Sequence, residues 1–202
     1  TLAGSAVAGL SVDDIKSGMS LNATSDFTSI TATSADNADY TLNVGLDAVT
    51  GVVSVVEDGA TANDITINST SALTITSTTL DGDLVLTSAG DMIVTESDES
   101  ATVTATSSAG SVTVTTADAA TSLNLTSADE VIVSGANAAA TITVNAQGTG
   151  ATAATTASTI TSTGATTLNL SGNGAALVAN AAGSTALTAI NVSGDQNVTV
   201  EL

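Results

Sequence analysis

The chain has no cysteine, proline, histidine or tryptophan, and Lys16 is its only basic residue. Phe27 and Tyr40 are the only aromatics. Each absence removes a class of function. Nucleic-acid binding rests on clustered Lys and Arg, usually with stacking aromatics, so no nucleic-acid partner is expected. Without Cys or His there is no disulfide framework, thiol nucleophile, imidazole base or zinc site of the usual ligands. Sugar-binding platforms built on Trp and Tyr are excluded in the same way. No run approaches the ~20 apolar residues of a membrane-spanning helix. Thr1 is not preceded by a Met, no charged n-region leads into an apolar core, and Leu202 follows the strand-like Val198-Thr199-Val200. The chain therefore reads as a processed form or segment of a larger protein.

What is present is small and β-prone. Thr (38), Ala (36), Ser (25) and Gly (17) make up more than half of the 202 residues, and 20 acids give a net charge of −19. Low complexity and high charge favour disorder. Against that, 43% of the residues are apolar, and Val, Ile, Leu and Thr occur in ordered alternation. The chain is expected to fold, but not around a core of large side chains.

Internal repetition decides the architecture. Apolar-x-apolar triplets begin at Ile65, Leu73, Leu84, Met92, Val103, Val112, Leu123, Val131 and Ile142, in steps of 8, 11, 8, 11, 9, 11, 8 and 11 residues. Short linkers such as Thr87–Asp91, Thr106–Ser111 and Thr126–Glu130 alternate with eight-residue linkers, Thr76–Asp83, Thr95–Thr102, Thr115–Ser122 and Ser134–Thr141. Alternation with β-branched residues is strand chemistry, and the outer two residues of each triplet share one face. Two main strands per coil of about 20 residues, repeated in register, predict an all-β parallel β-helix or β-solenoid. Long-step starts near 21, 42, 65, 84, 103, 123, 142, 160, 177 and 198 predict nine or ten coils, a rod of roughly 45 Å at the spacing of neighbouring strands. Residues 1–20 are expected to form a cap or connector, and 21–202 a single solenoid, most regular over 60–145. Ala146 to Thr159 is expected to hold an irregular strand. Helix, if any, is confined to 151–158 or 175–189. A narrow interior has little room for aromatics.

The acids fall mainly in the linkers. Asp98, Asp118 and Asn137 each lie six residues after a strand start, Asp64 and Asp83 each precede a strand by one, and Asp91 and Glu130 do so on the other strand with Ser111 between them. Stacking would bring such side chains to within about 5 Å, where like charges repel. Oxygen-rich clusters of this kind suit Ca²⁺. The candidate metal ligands are Glu96, Asp98, Glu99 and Asp118, followed by Asp81 and Asp83. The competing reading is that these acids solvate the surface. The solenoid calcium nonapeptide G-G-x-G-x-D-x-U-x is absent, with Asp81-Gly82-Asp83 and Gly194-Asp195 as fragments of such turns.

Catalysis is not expected. Acidic pairs are numerous, but nothing accompanies them to hold an anionic or ring substrate, and no His or Lys stands ready to activate a Ser or Thr. Lys16 reads as a surface residue. Thr74, Thr76, Thr113 and Thr115 should project from one face, and Thr66, Thr104, Thr106 and Thr143 from another, an arrangement similar to ice-binding solenoids. Val85, Ile93 and Ile132 interrupt these arrays, and outward aliphatics mark packing against a neighbour.

The Thr-Ser-Ala-Gly-Asp segment at Thr87–Asp91, the Val-Thr-Val-Thr-Thr-Ala-Asp segment at Val112–Asp118, the absence of Cys and the abundance of Thr and Ala resemble the β-helical surface-layer proteins of Gram-negative bacteria. These are related to RTX-type proteins secreted by type I systems. The resemblance covers roughly residues 60–145 and implies an extracellular location on the bacterial surface, bound calcium, self-assembly into lattices and anchoring to cell-surface polysaccharide or lipopolysaccharide. The expected function is that of a non-enzymatic structural protein forming a surface layer or filament. The alternatives are a stalk in a large secreted adhesin and an ice-binding solenoid.

Overall fold

A computed structural model describes residues 9–35, 38–46, 52–57, 62–79, 81–96, 101–117, 120–136, 139–147, 157–173, 177–181 and 184–202; within these, the side chains of 24–26, 46, 57, 77–79, 96 and 116 lie outside the description. The described residues form strands and turns without helix, and every strand pairing is parallel.

Nineteen strands alternate between two sheets. The ten-stranded sheet stacks β1 (Leu10–Ile15), β3 (Ser29–Ser34), β5 (Val52–Glu57), β7 (Leu73–Thr79) and β9 (Met92–Glu96). It continues through β11 (Val112–Ala117), β13 (Val131–Val133), β15 (Ser158–Thr161), β17 (Leu177–Asn180) and β19 (Val198–Glu201). The nine-stranded sheet stacks β2 (Met19–Phe27), β4 (Tyr40–Leu46), β6 (Ile65–Ser69), β8 (Leu84–Ser88) and β10 (Thr102–Ser107). It ends with β12 (Ser122–Ser127), β14 (Thr141–Ala146), β16 (Thr167–Gly172) and β18 (Ala189–Gly194). One strand from each sheet makes a coil, and the coils stack into a β-solenoid whose ten-stranded sheet is about 43 Å long at ~4.8 Å per rung.

The triplets explain the core. In β10, β12, β14 and β16 burial alternates residue by residue, so one set of side chains faces in and the other out. Inward positions superpose from coil to coil: Ile65, Leu84, Val103, Leu123, Ile142 and Leu168 form one buried column, and Ile67, Leu86, Ala105, Leu125, Val144 and Leu170 another. The opposite sheet contributes Ile75, Val94, Val114, Val133 and Ile160. Both aromatics are interior as well, Phe27 and Tyr40 being buried in the first coils. A register shift in β2 between Ala23 and Phe27 marks this level, so the interior there accepts rings that the later Val- and Leu-filled columns do not contain.

The short corners turn on a column of buried serines, Ser69, Ser88, Ser107 and Ser127. Ser107 Oγ donates to the Gly90 carbonyl at 2.8 Å and accepts from the Gly110 N–H at 2.9 Å. Ser88 Oγ donates to the same carbonyl at 2.6 Å, and Ser127 Oγ to that of Gly110 at 2.9 Å. An inward hydroxyl thus satisfies turn groups that a sheet ladder cannot reach. The coils approach so closely here that a Cβ on Gly110 would lie 2.5 Å from Asp91 N, which leaves room only for glycine.

Two boundaries differ from the sequence reading. The solenoid already includes β1, whose Leu10, Ser11 and Val12 pair with Ile30, Thr31 and Ala32. The adjacent acids Asp13 and Asp14 obscure this strand: the register shifts between Val12 and Ile15, and Asp14 has φ +58°. The phase of the repeat also changes after β14. Corners into the ten-stranded sheet, short at 89–91 and 128–130, run from 147 to 157 in the next coil. The strands at 160, 177 and 198 therefore belong to the sheet opposite those at 123 and 142, and the matching nine-stranded rungs are at Leu168 and Ile190. Within 175–189, β17 is a strand, while 148–156 lie outside the described residues.

Candidate functional site

The carboxylates whose side chains are described lie at coil corners or in the terminal coils. At the edge where chains enter the nine-stranded sheet, Asp39, Asp64 and Asp83 stack. Asp64 N–H donates to Asp39 Oδ1 at 2.9 Å and Asp83 N–H to Asp64 Oδ1 at 3.0 Å. Their main chains continue the ladder, with Tyr40 N–H donating to Asp64 O and Ile65 N–H to Asp83 O. Asp39 and Asp64 each receive a backbone donor from the next coil, a charge-assisted bond that offsets repulsion along the column. The other edge repeats the device: Ser111 N–H donates to Asp91 Oδ1 at 2.9 Å, while Leu73, Met92 and Val112 donate to the carbonyls of Asp91, Ser111 and Glu130. These stacks are where the linker spacing of Asp64, Asp83, Asp91 and Glu130 places them.

The proposed calcium ligands are only partly covered. Asp98, Glu99 and Asp118 lie outside the described residues, as does Asn137, and for Glu96 only the main chain in β9 is described. Asp81 and Asp83 flank the turn before β8 and are half-buried. Among the described residues no group of three or more carboxylates converges as a metal site. The only described ion pair joins Lys16 Nζ to Asp14 Oδ2 at 3.3 Å, with both side chains about 70% exposed, so Lys16 is a surface residue.

The two sheet faces contrast with these edges. On the nine-stranded sheet one outward column reads Ser20, Thr41, Thr66, Val85, Thr104, Asn124, Thr143, Asn169, Asn191, and its neighbour Asn22, Asn43, Asn68, Thr87, Thr106, Thr126, Asn145, Ser171, Ser193. Neither carries a charge. The amides bond to one another up the stack: Asn43 Nδ2 donates to Asn22 Oδ1 and Asn68 Nδ2 to Asn43 Oδ1, both at 2.9 Å, and Thr87 Oγ1 donates to Asn68 Oδ1 at 2.6 Å. In the other column Asn191 Nδ2 donates to Asn169 Oδ1 at 2.8 Å. The sequence signal of this amide ladder is Asn at the same strand position in β2, β4 and β6.

On the ten-stranded sheet Thr74 and Thr113 stand in one outward column, with Ile93 and Ile132 at the rungs between and after them. Thr76, Thr95 and Thr115 stand beside them, and the Thr95 and Thr115 hydroxyls are 2.7 Å apart. The two Thr sets expected on different faces, and the interrupting aliphatics Val85, Ile93 and Ile132, are therefore placed as their spacing implied. Ile93 is 41% exposed and Val85 37%.

The hollows on this surface are open depressions. One of about 510 Å³ lies over Asn145, Gln147, Ser171, Asn173 and Ser193, and one of about 380 Å³ over Ser17, Met19, Asp39, Thr41 and Asp64. Amide and hydroxyl groups at their walls can hydrogen-bond a ligand. No helix among the described residues is long and apolar enough to cross a membrane. No family model, curated protein or solved structure matches the chain.

Proposed function

We propose that the protein is a non-enzymatic extracellular structural component of a bacterial cell surface, which associates with copies of itself into a layer or filament. The observation that carries this reading is the segregation of charge: in a chain of net charge −19, the two main outward columns of each sheet are built of Ser, Thr, Asn, Val and Ile up to Glu201 at the last rung. The corners give some of these acids backbone donors within the single rod, and a rod that packs side by side gains further, because two uncharged faces meet without burying carboxylates.

Ile190 and Val192 occupy the inward columns in which Leu168 and Leu170 are buried, yet they are 37% and 54% exposed. A further coil, of this chain or of another copy, would cover them and pair the strand edge. Calcium held by acids such as Glu96, Asp98, Glu99, Asp118, Asp81 and Asp83 would reduce repulsion between neighbouring rods, and cell-surface polysaccharide or lipopolysaccharide would be the anchor.

Sedimentation velocity over a wide concentration range, with millimolar calcium and then with chelator, tests this. A surface-layer or filament component forms larger species, and calcium favours them. A stalk remains monomeric throughout. An ice-binding solenoid also stays monomeric and shows thermal hysteresis.

A further inference from the structure

The ten-stranded face carries a pattern that the individual strands do not reveal. Read from coil to coil, its central outward column is Ser29, Val52, Thr74, Ile93, Thr113, Ile132, Thr159, Val178 and Thr199. Hydroxyl and β-branched aliphatic residues alternate at every rung. The aliphatics stand two rungs apart, about 9.6 Å, and each gap between them holds a hydroxyl-bearing side chain. The neighbouring outward column is polar and carries no charge before Glu201, including Thr31, Ser54, Thr76, Thr95 and Asn180.

From this column we infer that the ten-stranded face is a self-contact surface, on which a second copy lies antiparallel so that each aliphatic of one rod fits the Thr gap of the other. The inference rests on the assembly reading above and supplies its lateral contact. The order is self-complementary. When the column from Val52 to Thr199 is laid on its own reverse, Val52 faces Thr199, Thr74 faces Val178, Ile93 faces Thr159, and Thr113 faces Ile132. Such a contact has two-fold symmetry and uses one patch on both partners. A parallel arrangement in register would set Ile93 on Ile93 and Thr113 on Thr113, holding the sheets apart at the aliphatic rungs and leaving voids at the others, and one slipped by a rung would interdigitate without closing on a single two-fold patch.

Charge and area point to the same partner. A basic partner finds no carboxylate in the two columns before Glu201, whereas another copy meets an uncharged surface like its own. Eight rungs at ~4.8 Å and a strip ~12 Å wide give roughly 400 Å² per copy. Two such strips bury roughly 800 Å², below the ~1,200 Å² of a standard stable interface. The pairing is therefore weak alone and gains strength when many contacts act together.

Cysteine substitution tests the arrangement cleanly in a chain without native cysteine. Thr74 and Val178 lie five rungs apart, about 24 Å, too far for a disulfide within one rod. The Thr74→Cys/Val178→Cys double variant should oxidise to a covalent dimer, and an equimolar mixture of the two single variants should do the same. Thr74→Cys alone and the matched pair on the other face, Thr66→Cys/Asn169→Cys, should remain uncrosslinked. Ile93→Asn/Ile132→Asn should weaken association in sedimentation at least tenfold with an unchanged circular dichroism spectrum. Faster cross-linking of Thr74→Cys with itself, or cross-linking confined to the nine-stranded face, would overturn the inference. So would oligomers that form normally in the Ile93→Asn/Ile132→Asn variant, although assembly itself would then stand. A chain that stays monomeric at every concentration removes both readings.

Discussion

Removing one hydroxyl at the short corner tests how the coils are held. Ser107 is 2% exposed, and its Oγ accepts the Gly110 N–H while donating to the Gly90 carbonyl. In Ser107→Ala the carbonyl keeps a partner, because Ser88 Oγ also donates to it at 2.6 Å. The buried Gly110 N–H loses its acceptor, an orphaned donor costing ~1–3 kcal/mol. Close approach of Gly110 to Asp91 leaves little space for water to replace the lost oxygen. The expected destabilisation is about 2 kcal/mol. Ser88→Ala is the internal control: it deletes one donor to a carbonyl still served by Ser107 and should cost no more than ~1 kcal/mol. Urea unfolding followed by circular dichroism measures both, provided the m-value is unchanged. A stack of coils can unfold in parts, so amide exchange at Gly110 gives the local readout: its protection should fall in Ser107→Ala and persist in Ser88→Ala. Equal costs for the two variants, with Gly110 still protected in both, would refute the role assigned to the serine column.

Substitutions at two further positions probe the other corner. Asn63 is fully buried, accepting the Ala38 N–H at 2.7 Å and donating to Ser34 Oγ at 3.2 Å; Asn63→Leu should cost about 2 kcal/mol by orphaning that N–H, read as a lower urea midpoint, and no loss would show that Ala38 finds another acceptor. Asp64→Asn keeps the Oδ1 that receives Asp83 N–H and removes the middle charge of its column, so thermal melts at low salt should show stability equal to or above the parent, with the difference shrinking as salt screens the column. Asp64→Ala loses the acceptor and should fall by ~1 kcal/mol, also by thermal melt; stability unchanged by both substitutions would mean the column carries no net interaction.

The fold was legible where every turn has the same length. From Ile65 to Val144, apolar-x-apolar triplets in alternating steps name both sheets, because a side chain's face follows from parity once the strand is recognised. Legibility failed where turns change. The corner from 147 to 157 converts a short step into a long one, so the strands at Ile160 and Leu177 were placed one sheet out of phase. The acids Asp13 and Asp14 disguised β1 as a cap. For the surface, each Thr and Ile could be assigned to an outward position, but the alternating column spans residue separations of 22, 19, 20, 19, 27, 19 and 21 from Val52 to Thr199. No fixed period shows it, since it exists only in the register between coils. The buried serines were visible as repeated Thr-Ser segments, while their role depends on which carbonyl the next coil presents.

Electron microscopy of the purified chain, in calcium and then in chelator, tests most directly whether this solenoid is an assembling structural element. The account predicts sheets or filaments of laterally packed rods in calcium, with a reflection near 4.8 Å along the rod axis from the stacked rungs, and their loosening when the cation is withdrawn. Discrete single rods at high concentration under both conditions would contradict it.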